Sequence, residues 1–111
     1  MSDVVVVYVT APDLDVATRL GRALVEESLA ACCNLLPGVR SIYQWEGAVQ
    51  EDAEVLLVLK TVAERVPALT ERVLALHPYT LPEVIALPVT AGHTPYLEWV
   101  RAGATPKSSA G

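Results

Sequence analysis

Residues 4–10, VVVVYVT, are an unbroken apolar run, after which the spacing changes so that Val16, Leu20 and Leu24 recur every four positions up to about residue 29. The first pattern predicts a central strand buried on both faces, because a continuous run leaves neither face polar, and the second predicts a helix with one apolar stripe. Ala11-Pro12-Asp13 separates them, with Asp13 placed to cap the helix and Asp15 adding negative charge to its first turn. Residues 31–61 carry the strongest β signal in the chain. Within them Glu46-Gly47 stands between Tyr43, Trp45 and Val49, and an acidic residue followed by glycine is what a two-residue turn with positive φ requires. One arm of this hairpin ends over residues 42–45, and the other runs over 48–61. Pro37-Gly38 interrupts the first arm and predicts a bulge or bend at an edge, since proline donates no hydrogen bond and glycine tolerates unusual dihedrals. At ~3.3 Å per residue the second arm is ~46 Å long, about twice the strand over 4–10 that could flank it, so part of the hairpin must project beyond its own sheet.

Pro67 falls where a first helical turn tolerates a missing N–H, and Leu69, Val73 and Leu76 form the apolar stripe of a second helix that His77-Pro78 ends. Residues 82–89 hold VIAL between two prolines, a short strand in which the prolines are confined to an edge or to its ends. Thr94-Pro95 reads as an N-cap followed by proline at the first helical position, with Tyr96, Trp99 and Val100 facing inward. Residues 102–111 are small and polar, which predicts one domain over 1–101 and a flexible tail over 102–111. The order strand, helix, strand, strand, helix, strand is the split βαβ or ferredoxin-like pattern. It predicts an α+β sandwich: helices on one face of a four-stranded antiparallel sheet, a long protruding hairpin and a short C-terminal helix. The other face of such a sheet is bare, yet the hairpin is apolar on both faces, Val55 and Leu57 against Leu56 and Val58. A second copy of the chain is the expected cover.

Composition narrows the function. At 111 residues and 52% apolar with no Phe, the chain holds one domain with a sizeable aliphatic core. No apolar run approaches the ~18 residues of a membrane span and no basic segment precedes the first run, so a cytoplasmic protein without membrane contact is expected. A net charge of −5 opposes nucleic-acid binding, which needs clustered Lys and Arg on phosphates. Six Arg against two Lys, with one Asn and two Gln, points to a thermostable protein. Enzyme chemistry finds no support: TAPDLD stands after the first strand where a glycine-rich phosphate loop would be, and no nucleophile is paired with a base.

The candidate ligands are few. His77 is the best metal candidate, because a neutral imidazole suits copper and zinc and a helix C-terminus is electronegative. Cys32 and Cys33 point to opposite faces of a strand, a poor disulfide pair and at most half of a tetrahedral site, with His93 distant in sequence. One is expected as a buried hydrophobe and the other as a half-exposed thiol. Glu51, Asp52 and Glu54 could hold a hard cation, but Glu51 points away from the other two and acidic runs are usually solvated faces. Tyr43 and Trp45, aromatics on a protruding hairpin, are expected to anchor an interface.

The runs LAAC, LLPGVRSIYQWEG, EVLLVLKT, HPYTLPEVIALPV and YLEWV, spread over residues 4–101, resemble the CutA divalent-cation tolerance family in order and spacing. The resemblance implies a ferredoxin-like domain in a tight cytoplasmic homotrimer whose hairpins wrap neighbouring subunits, linked to copper and heavy-metal tolerance and to no defined enzymatic activity. Members proposed to bind copper carry Cys at the position of Val9 and a second His at that of Leu76, beside the position of His77. Both are missing here, so copper or another divalent cation at His77 would be completed by water, backbone or another subunit and held weakly. Tyr43, Trp45, Lys60, Tyr79 and Glu83 lie inside the same motifs and suggest the alternative, a PII-like trimeric signalling or scaffold module with a small ligand in its intersubunit clefts.

Overall fold

A computed structural model describes residues 3–106. Strand β1 (Val4–Ala11) leads to helix α1 (Leu14–Glu26), then to β2 (Cys32–Trp45) and β3 (Ala48–Val62), a single 3-10 turn at Ala63–Arg65, α2 (Val66–Leu76), β4 (Ile85–Pro88) and α3 (Thr94–Gly103). The strands form one antiparallel sheet in the order β2-β3-β1-β4, the ferredoxin-like arrangement expected from the sequence. β4, the proline-bounded strand, lies at an edge.

Local chemistry explains the hairpin. Glu46 and Gly47 both have positive φ, 52° and 82°, which twists the turn in the sense of the flanking strands. At Pro37-Gly38 the register slips: Leu36 faces Leu56 but Val39 faces Glu54, so one extra residue is accommodated on β2 with Gly38 at φ 85°. β1 flanks β3 only from Val55 to Val62, which leaves residues 48–54 paired with β2 alone. This is the predicted projection, and it contributes to principal extents of 48 × 32 × 21 Å. Ile42 (69% exposed) and Val49 (68%) stand out from it.

The core lies on one face. Val5, Val7, Val9 and Ala11 of β1 join Val55, Leu57 and Leu59 of β3 against Ala17, Leu20 and Leu24 of α1 and Leu69 and Val73 of α2. Asp13 caps α1, its Oδ1 accepting from the Val16 N–H at 2.9 Å. α1 stops at Glu26, earlier than expected, because Ser28 takes a left-handed conformation (φ 57°) and the N–H groups of Leu29 and Ala30 both turn back to the Leu24 carbonyl.

Three expectations about burial are corrected. β1 is not buried on both faces: its residues alternate buried and half-buried from Val5 to Ala11, since α1 and α2 share one face. Leu76 is exposed at the end of α2 rather than part of its stripe. On α3 only Val100 is fully buried; Tyr96 and Trp99 are exposed and stack on each other with centroids 5.6 Å apart. α3 packs on β3 and β1, and Val100 is buried apart from the main core. His93, not Thr94, occupies the cap position, and Pro95 is the second helical residue. α3 continues past Arg101 to Gly103, and Ala104 is buried, so the fold extends beyond the boundary expected at residue 101. Residues 107–111 of the expected tail lie outside the described residues. Among the described residues no helix is long and apolar enough to cross a membrane.

Candidate functional site

The end of α2 and the root of the hairpin are tied together by side chains from distant parts of the chain. His77 ends α2 and is only 8% exposed. Its Nδ1 accepts from the Tyr79 N–H at 3.1 Å, so the proton resides on Nε2, which donates to the Thr10 carbonyl at 2.7 Å. Both ring nitrogens are therefore engaged. The imidazole lies against the Tyr79 ring, centroids 4.6 Å apart, and the Tyr79 hydroxyl donates to Glu54 Oε2 at 2.8 Å. A continuous path thus runs from the end of β1 through the α2 terminus to β3, where the hairpin leaves the sheet.

Further out, the Tyr43 hydroxyl donates to the Asp52 carboxylate. Each tyrosine is held in its protonated form: Tyr43 is raised first by its bond to Asp52, and Tyr79 first by burial and then by its bond to Glu54. Between residues 41–45 of the hairpin and residues 78–83 lies a cleft of about 760 Å³. Tyr43, Trp45 and Tyr79 supply aromatic walls, and Glu54 and Glu83 supply carboxylates.

The other candidates do not converge. Glu51 accepts from Arg40 (Nε to Oε2, 3.0 Å), Asp52 from Tyr43 and Glu54 from Tyr79, so each acid has a different partner. Lys60 donates to the Asn34 side chain, and Glu83 lines the cleft. Among the described residues no three His, Cys, Asp or Glu side chains are grouped to hold a metal, and His77 has no such companions. Thr10, Asp52 and Glu54 as partners of His77, Tyr43 and Tyr79 were not apparent in the sequence. The Tyr43 to Asp52 bond had a signal: the turn at 46–47 sets Tyr43 opposite Gln50, and Asp52 is its diagonal neighbour.

Cys32 and Cys33 are both free thiols. Cys33 packs beneath Gly21, where an added Cβ would lie 3.0 Å from its Sγ, and burial, followed by the neighbouring Cys32, pushes its thiol up to about 11. Since the thiolate is the reacting form and burial, the larger cause, persists without Cys32, Cys33 in a Cys32→Ser variant should alkylate at pH 8 clearly more slowly than an ordinary exposed thiol. Mass-spectrometric labelling at the free-thiol rate would contradict this burial.

A ferredoxin-like domain with an overlong hairpin and a cleft at its root defines a structural class that does not by itself specify an activity. The chain belongs to the CutA1 divalent ion tolerance protein family, whose sequence pattern matches residues 5–103. It is 54% identical over 96 residues to the divalent-cation tolerance protein CutA of Thermus thermophilus, covering 86% of this chain and 93% of that one. It is also 54% identical over 94 residues to the Homo sapiens protein CutA, of whose length it spans only 52%, with 85% of this chain matched. The solved Thermus thermophilus structure superposes with a TM-score of 0.90 at 51% identity, covering 92% of this chain and 99% of that chain. CutA1 from Oryza sativa gives 0.91 at 48% identity, covering 94% and 95%. The family is named for ion tolerance rather than for a reaction.

Proposed function

We propose that this chain serves divalent-cation tolerance as a cytoplasmic, non-enzymatic homotrimer that binds copper or a similar cation weakly. The supporting observation is the two-stranded extension of the hairpin, where Ile42, Trp45 and Val49 are exposed on strands that pair only with each other. An isolated two-stranded hairpin is marginal in water, and exposed apolar surface of this kind favours a protein partner. Sedimentation velocity at micromolar concentration should show a trimer, and a folded monomer would refute the assembly.

His77 as a cation ligand fits weak binding only. A metal on Nδ1 would displace the Tyr79 N–H and one on Nε2 would displace the bond to Thr10, each worth about 0.5–1.5 kcal/mol net. With no second donor grouped beside it in the described part of a single chain, the remaining ligands would be water or groups of another subunit. Zinc and copper(II) titrations of the parent, His77→Gln and the Cys32→Ser, Cys33→Ser double variant test the assignment. Weak binding that disappears in His77→Gln supports it; parent-like binding in that variant, or loss in the cysteine variant, rules His77 out. The cleft at the hairpin root favours a second reading, a trimeric signalling or scaffold module that holds a small ligand.

A further inference from the structure

Lys60 stands on the sheet face turned away from α1 and α2. It lies directly across from Val6 on β1 and Cys32 on β2, so these three side chains share a face. The same face carries Tyr8, Leu56 and Val58, all half-buried, with Ile85 and Leu87 of β4 exposed beside them. Among these positions Lys60 is the only charged side chain. Five of the six arginines pair with a carboxylate of their own chain. The half-buried Lys60 ammonium, in contrast, has only the neutral Asn34 side chain as a recorded partner among the described residues.

In the proposed homotrimer, on which this inference rests, an apolar face of this kind is what a neighbouring copy covers. Covering it strips the remaining water from the ammonium, a cost that a neutral amide does not offset and a carboxylate does. The chain itself supplies the complement. Its net charge is −5, and Glu46, Glu71 and Glu83 have no recorded cation among the described residues. We infer that Lys60 forms an ion pair with a carboxylate of a second copy, contributed across the interface. Pairing within the chain fits less well, because Glu54, the nearest acid along β3, is six positions away, about 20 Å, and is bonded to Tyr79. A free anion would neutralise the ammonium without orienting the two copies. A carboxylate fixed on the partner does both: any other docking leaves the lysine buried and unpaired, so the pair selects one register on a face that is otherwise apolar and undirected.

Zero-length carbodiimide cross-linking of the full chain tests this, because it joins an amine only to a carboxylate in contact with it, and the sequence holds two lysines, Lys60 and Lys107. Sedimentation velocity on the same samples reports assembly separately. The parent should give covalent dimers and trimers on a denaturing gel, with peptide mapping placing Lys60 in the link and naming the acid. Lys60→Arg keeps the charge but forms no such amide, so it should sediment as the parent does while the Lys60 link disappears. Lys60→Met should raise the trimer dissociation constant about tenfold or more. Arg19→Met, whose pair with Asp15 is exposed on α1, should change it less than about threefold. If Lys60→Met loses its native circular dichroism, Lys60→Arg and the mapped link carry the comparison. Links through Lys107 or the amino terminus alone, or a Lys60 link confined to the monomer band, overturn the inference and leave the trimer standing. Unchanged dissociation of folded Lys60→Met overturns it equally. A parent that sediments as a folded monomer overturns the trimer, and the ion pair with it.

Discussion

Trp45→Ala is expected to drive the proposed trimer towards dissociation, while Trp99→Ala leaves that assembly largely intact. Trp45 is the last residue of β2, one position before the turn, on the part of the hairpin that no other strand flanks. A buried aromatic anchor at an interface contributes about 2 kcal/mol or more when truncated, so three copies in a trimer would lose roughly 6 kcal/mol, about four decades in the dissociation constant. Trp99 differs in kind. It is 52% exposed and its ring contact is a stack on Tyr96, so it does not serve as the inward-facing core residue expected from its helical spacing. Removing it should cost roughly 0.5–1.5 kcal/mol of subunit stability. Sedimentation equilibrium over a wide concentration range separates the two, and equal dissociation would defeat the assignment of Trp45 as anchor.

Leu57→Ala should be the most damaging single truncation for the subunit. Leu57 is 0% exposed, sits between Val9 and Leu35 on neighbouring strands, and belongs to the cluster packed under α1 and α2. Emptying such a site costs about 2–5 kcal/mol, a large part of the ~5–15 kcal/mol that keeps a domain folded. The denaturant midpoint should fall with little change in slope, measured at a fixed protein concentration because the proposed assembly would contribute to apparent stability. Leu56, one residue earlier and on the other face, is half-buried within the chain and should cost clearly less. A loss at Leu56 as large as that at Leu57 would show the second sheet face to be as well covered as the first, which a single chain does not achieve.

The features legible in the sequence are those whose chemistry is local. Glu46-Gly47 requires positive φ, Pro37-Gly38 cannot continue a regular ladder, and Asp13 has an N–H three residues away to cap; each does in the structure what its neighbours demanded. The topology followed as well, because strand and helix periods are short-range patterns and few sheets accommodate their order. Burial by face was not decided locally. Tyr96, Trp99 and Leu76 lie at helical spacing, but α3 offers only Val100 and the later Ala104 to the interior, and α2 ends before Leu76 meets the core. Nor could the sequence reveal that His77 spends both nitrogens on backbone groups 67 and two residues away, or that Tyr79 reaches Glu54 across 25 positions. Hydrogen bonds and ion pairs between distant segments depend on distances that only the packed sheet and helices set. Sequence pattern therefore specified the elements and the hairpin, whereas tertiary packing decided which polar groups meet.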